Sequence, residues 1–149
     1  MYLDKDGNPV AKGSEESPPV SERRKIEMEL NELLEKYDFH DSGLERIQYD
    51  SAERRAEMEV EFCNWMQDYF QKGMVKQPIV SLVFTEVSEM KYAGLEQYDE
   101  GNVILQASLI KNPSNQEGVE FLVYNDETNQ LKHIRIFAEE VEFVVVGAT

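Results

Sequence analysis

The sequence predicts a mainly β fold: an antiparallel β-sandwich or open barrel of six to seven strands with one N-terminal amphipathic helix. Three observations predict it. Apolar and polar residues alternate in run after run between Ile47 and Val145, the period-two signature of strands with one face buried. Turn-forming clusters at Asp50-Ser51, Asn112-Pro113-Ser114-Asn115 and Asn125 to Asn129 separate those runs at short spacing. None of the connections shows the helical period that a parallel crossover requires, so neighbouring strands should be antiparallel.

Taken in chain order, residues 1–20 hold Pro9, Pro18, Pro19, Gly7, Gly13, Ser14 and Ser17 among few apolar groups. Such a segment cannot offset its ordering entropy, which predicts a flexible tail with a turn at Asp6-Gly7, followed by one β-rich domain over 21–149. Ser21 offers an N-cap and Glu22 a favourable first-turn charge. Ile26, Leu30, Leu33, Leu34 and Tyr37 then recur at helical spacing against Glu27, Glu29, Glu32, Glu35 and Lys36, which predicts a helix over 21–37.

Ile47 and Tyr49, then Met58, Val60 and Phe62 against Glu57, Glu59 and Glu61, predict a hairpin with one wet face. Asn64 to Gln77 has no clean period. Its Trp65, Tyr69 and Phe70 fit a strand edge, a short helix or an exposed patch equally. Pro78 opens Ile79 to Val87, apolar at most positions and so expected to be buried on both faces. After a polar connection, Tyr92 to Gly101, come Val103, Leu105, Ala107 and Leu109, then Val119, Phe121 and Val123, then Ile134 and Ile136. Ala138-Glu139-Glu140 must bend or bulge before Val141, Phe143 and Val145. The uncharged Val144 to Gly147 run should be paired centrally, because as a free edge it would aggregate.

Thirty Asp and Glu against fifteen Lys and Arg leave the 149-residue chain with a net charge of −15. That field opposes unaided binding to nucleic acid or to an anionic membrane surface. No apolar run approaches the roughly 18 residues of a membrane span, and no basic-then-apolar start reads as a signal peptide. The expected compartment is the cytoplasm. Cys63 is the single cysteine, which excludes an internal disulfide and a cysteine-based metal cluster.

The candidate chemistry gathers at Asp38-Phe39-His40-Asp41-Ser42. An imidazole beside carboxylates suits a general base, and His133 is the one further histidine that could join it. The structural alternative is that Asp41 or Ser42 bonds local backbone while His40 packs near the helix end. Metal ligation has little support, since two histidines lack ligand spacing. Asp4 to Glu15 matches a calcium loop in length, but Pro9 occupies the position that must be glycine. No nucleophile or phosphate-loop motif occurs, no cofactor is implied, and Cys63 reads as a small buried hydrophobe facing away from Phe62 rather than a partner of either histidine. Glu57, Glu59 and Glu61, at alternate positions of one strand, should share a sheet face and could complement a basic protein. Trp65 and Tyr69 are the matching apolar candidates, for that partner or for a homo-oligomer contact.

The stretch His40-Asp41-Ser42-Gly43-Leu44-Glu45-Arg46-Ile47-Gln48-Tyr49-Asp50 (HDS-x-L-x-x-I-x-Y-D), followed by Leu82, Phe84 and Val87 in a later strand, resembles small bacterial proteins of the YxiG-like and immunity-protein-like set. The resemblance spans His40 to Val145. It implies a β-rich domain and, since some members of that set accompany polymorphic toxins, a non-enzymatic module that neutralises a basic toxin; it transfers no catalytic residues. The competing expectation is a small enzyme or ligand-binding domain with its site around His40 and Asp41.

Overall fold

The computed structural model describes residues 24–92 and 101–148. The expected tail over 1–20, the Ser21 cap, the Asp4 to Glu15 loop and most of the Tyr92 to Gly101 connection lie outside them. In order, the elements are β1 (Arg24–Met28), α1 (Leu30–Lys36), β2 (Gly43–Asp50), β3 (Arg55–Glu61), a 3₁₀ turn (Asn64–Met66), β4 (Pro78–Thr85), β5 (Glu89–Lys91), β6 (Asn102–Lys111), β7 (Glu117–Asn125), β8 (Gln130–Phe137) and β9 (Glu140–Ala148). The nine strands form one sheet ordered β1-β9-β4-β3-β2-β6-β7-β8-β5, and every pairing among the described residues is antiparallel.

The predicted mainly β, antiparallel class is what the chain adopts, in the form of an open, curled sheet. β4 and β5 are nearly consecutive in sequence yet lie far apart in strand order, so the sheet must curl to bring them together. The connector closes that gap: Val87 N–H donates to Arg54 O and Ser88 N–H to Phe137 O, both at 2.9 Å. Across the interior, Phe84 of β4 meets Phe121 of β7 edge to face at 6.4 Å. β1 and β5 remain as edges, so the barrel is not closed.

Alternation sets the faces as read from sequence. Ala56, Met58 and Val60 point into the core with no exposure, as do Val80, Leu82 and Phe84, Val119, Phe121 and Val123, and Ile134 and Ile136. α1 lays Leu30 and Leu33 into the same core. Between helix and sheet sits an aromatic knot: Phe62 meets Tyr37, Phe39 and Phe143 edge to face at 5.8, 5.4 and 5.4 Å, while Tyr37 stacks flat on Phe143 at 4.0 Å. β9 lies between β1 and β4, so of the Val144 to Gly147 run Val144 and Val145 are paired on both sides and Gly147 is paired with β4.

Three expectations need correction. Over its described part, residues 24–37, the helix predicted over 21–37 is a strand followed by a seven-residue helix. Ile26 and Met28 also satisfy a period of two, and pairing with β9 brings both against Phe143 and Val141, a gain in burial that local periodicity cannot anticipate. The helix begins where Glu29 and Glu32 form a reciprocal capping box. Among the described residues the strands number nine, not six to seven, because β1 falls within the span predicted as helix and the three-residue β5 is too short to show an alternation of its own. Finally, β3 stops at Glu61. Cys63 therefore does not alternate with Phe62, and both side chains are buried.

Candidate functional site

The Asp38 to Ser42 stretch is a junction that ties helix end, β2, β3 and β6 together. Asp38 Oδ1 accepts the His40 N–H at 3.0 Å, an Asx turn that swings the chain out of α1. Asp41 then adopts a positive φ of 67°, a conformation Asp tolerates better than most residues. Its N–H donates to Ile104 O and Ile104 N–H donates to Ser42 O, both at 2.8 Å. The fully buried Ser42 accepts the Cys63 N–H on Oγ at 3.0 Å, and Cys63 Sγ donates to Asp41 O at 3.2 Å. Burial pushes the Cys63 thiol above its ordinary pKa, which favours an inert packed thiol over a thiolate. One residue that the sequence did not single out completes the junction. The Gln67 side chain accepts the Asp38 N–H at 2.8 Å and donates to Asp38 O at 2.7 Å and Cys63 O at 2.9 Å, and nothing in its spacing announces that bracket.

His40 sits on the outside of this junction, with its side chain about half exposed. Its Nδ1 lies 2.8 Å from Leu105 O. A carbonyl only accepts, so Nδ1 carries the proton. A bulge between Ile104 and Gln106 lets Leu105 leave the ladder. Nε2 lies 3.5 Å from Asp41 Oδ1. The Leu105 carbonyl and then the Asp41 and Asp38 carboxylates raise the imidazole pKa. A raised pKa makes the stabilising interaction complete below the ordinary value of 6.5 and lost as pH climbs through the folded value. We expect the stability deficit of His40→Ala to be larger at about pH 5 than at about pH 8, read by urea denaturation at each pH; a deficit that does not change with pH would contradict the pairing.

His133 is elsewhere. On β8 it pairs with Leu122 of β7, so two strand spacings, about 10 Å, separate its backbone from β6. Its Nδ1 is 3.3 Å from Glu120 Oε2, which Arg135 Nε also meets at 2.7 Å. The Arg135 hydrogen bond, aided by His133, holds the Glu120 carboxyl below its usual range. The structure therefore does not bring His40, Asp41 and His133 together. Among the described residues, no group of three His, Cys, Asp or Glu side chains is placed to hold a metal ion.

Glu57, Glu59 and Glu61 do share the outer face of β3, as their alternation predicted, since Ala56, Met58 and Val60 take the inner one. Glu57 accepts from Ser81 Oγ at 2.6 Å, and Glu59 lies 3.7 Å from Arg46. Beside them Glu45 occupies the bulge between Leu44 and Arg46. Partial burial, followed by repulsion from Glu61 and Glu59, raises its pKa. This face carries Glu45, Glu57, Glu59 and Glu61 against Arg46 and Arg55, an excess of negative charge.

From the end of β3 the chain enters the segment that sequence left undecided, a short 3₁₀ turn followed by a loop. It holds four of the exposed large apolar residues: Trp65 at 49%, Tyr69 and Met74 at 40% and Val75 at 37%. The loop has its own framework. Asn64 Nδ2 donates to Val75 O at 2.8 Å, Tyr69 Oη donates to Asn64 Oδ1 at 2.6 Å, and Lys76 O accepts from the N–H groups of Asn64 and Trp65. Tyr69 also meets Tyr37 edge to face at 6.2 Å. Apolar surface is thus presented on a braced loop rather than buried. Alongside it, a groove of about 370 Å³ runs between the end of α1, residues 66–68 and β6, and its rim carries Glu35, Asp38 and Asp68 against Lys36 alone. Sequence reading singled out Trp65 and Tyr69 but not this groove, whose walls come from three segments distant in the chain.

The fold and this surface together define an acidic antiparallel β domain with an aromatic loop beside a carboxylate-rimmed groove. Comparison of the chain with protein-family models, curated proteins and solved structures finds no match. Among the described residues, no helix is long and apolar enough to cross a membrane.

Proposed function

We propose that the chain is a non-enzymatic protein-interaction module that binds a basic protein, in the manner of an immunity protein covering the active surface of a toxin in the cytoplasm of a bacterium. The observation that carries this reading is the exposure of Trp65, Tyr69, Met74 and Val75 on the segment whose residues Met66, Gln67 and Asp68 line the groove shared with Glu35 and Asp38. Aromatic anchors inside a charged surround are the arrangement of binding hot spots. The net charge of −15 and the carboxylates of β3 support it, because such a field speeds the approach of a cationic partner and repels acidic competitors.

The test is capture of the partner from the source cell, followed by affinity measurement across a salt series. A basic partner whose affinity falls as salt rises is expected. Trp65→Ala should weaken binding by about 10- to 30-fold. Replacing Glu57, Glu59 and Glu61 together by Gln should slow association and flatten the salt dependence. A partner that is not basic, or an affinity indifferent to salt, would remove this reading.

A further inference from the structure

On the outer face of the sheet, Glu89, Phe137, Gly118 and Ile110 lie side by side across β5, β8, β7 and β6. Gly118 brings no side chain to that row, and the Phe137 ring folds down over it: a Cβ at Gly118 would fall 2.5 Å from Phe137 Cδ1 and 2.9 Å from Cε1. The surface is therefore low here. A pocket of about 300 Å³ stands over the row, walled by the β6–β7 hairpin on one side and by β5 on the other. Both walls are braced. Ser88 Oγ, just before β5, donates to Gln116 Oε1 of the hairpin, Gln116 N–H donates to Asn112 Oδ1 at 2.9 Å, and Ser88 N–H donates to Phe137 O at 2.9 Å. A ligand entering such a pocket has little of the protein left to order.

The charged residues lining it are Glu89, Lys91, Lys111, Glu120 and Arg135. Both carboxylates are engaged: Lys91 Nζ lies 3.2 Å from Glu89 Oε2, and Glu120 Oε2 is held by Arg135 Nε at 2.7 Å and by His133 at 3.3 Å. The cations are not used up. Among the described residues, Lys111 has no hydrogen-bond or ion-pair partner, although Glu117 is its cross-strand neighbour. Arg135 spends only Nε on Glu120, which leaves its two terminal nitrogens as a fork of the width that two carboxylate oxygens fit. Ile110, Pro113 and Phe137 supply apolar wall beside these donors. The net charge of −15 opposes any anion, but beyond about 8 Å at physiological ionic strength that field is largely screened, so the nearest groups decide.

We propose that this pocket binds a small organic carboxylate, its oxygens on the Arg135 fork and Lys111 and its apolar body against Ile110, Pro113 and Phe137. The volume suits a ligand at the small end of the range that protein pockets hold. The pocket sits at the other end of β6 from the groove lined by Leu105 and Ala107, so this site and the proposed function stand or fall separately.

Titration of the full chain with benzoate at constant ionic strength, followed through backbone amide shifts, tests this. Saturable shifts at Lys111, Gly118 and Arg135 with a millimolar dissociation constant are expected. Benzamide, of the same shape without the charge, should leave those amides unmoved, and inorganic phosphate, a charge without an apolar body, should bind more weakly than benzoate. Lys111→Gln, at an exposed position, should weaken benzoate about tenfold while the protein stays folded. Arg135→Lys keeps a cation beside Glu120 but removes the fork, and should weaken it by a similar factor. No saturable shift with benzoate, equal binding of benzamide or of phosphate, shifts that gather at the groove instead, or benzoate affinity unchanged in folded Lys111→Gln and Arg135→Lys would each overturn the proposal.

Discussion

Phe62→Ala is expected to lower the unfolding free energy by about 3–5 kcal/mol, a loss that urea denaturation reads directly. Phe62 has no exposure and makes edge-to-face contacts with Tyr37, Phe39 and Phe143. These rings come from the helix end, the junction before β2 and the central strand β9. Truncation leaves a cavity that no single element can collapse into, because the surrounding backbones are fixed by the sheet and by the Gln67 bracket. Phe62→Leu should recover part of the loss by refilling volume without restoring the ring contacts. A cost below about 1 kcal/mol for the alanine variant would mean the knot does not hold the helix to the sheet.

Gly118→Ala is expected to be the next most damaging substitution, although it adds a single methyl group. Gly118 is buried on β7 and lies opposite Phe137 of β8. A Cβ there would come within 2.5 Å of Phe137 Cδ1 and 2.7 Å of Ile136 O. The ring can rotate aside, but the carbonyl belongs to the β7–β8 ladder and can move only if the strands part. The expected cost is about 1–3 kcal/mol, seen as a lowered melting temperature. Combining it with Phe137→Leu should recover the part due to the ring and leave the part due to the carbonyl. A variant as stable as the unaltered protein would show that the two strands yield at this point.

The long strands were legible because alternation is a local property. Met58, Val60 and Phe62, or Val119, Phe121 and Val123, declare their faces whatever they pair with. The same logic placed Glu57, Glu59 and Glu61 on one outer face. It failed at β1, where Ile26 fits the helical stripe with Leu30 as well as the strand alternation with Met28, and pairing with β9 decided between them. At Cys63 it failed because the strand had already ended one turn of alternation earlier. For the candidate site, Trp65 and Tyr69 were identifiable as unplaced aromatics, whereas Gln67, Glu35 and Asp68 were not. Their roles depend on Asp38 and β6 arriving beside them, and those segments are distant in the chain.

The sequence by itself determined the class of fold, the faces of the long strands, the pairing of β9 inside the sheet rather than at its edge and the strong negative charge. All of these follow from local periodicity, turn chemistry and composition. Tertiary structure alone decided that the strands curl as one sheet, that His40 and His133 stay apart, and that an acidic groove borders the aromatic loop. Contacts between residues distant in the chain depend on strand order and curvature, which period-two patterns leave undetermined because every antiparallel arrangement shares them.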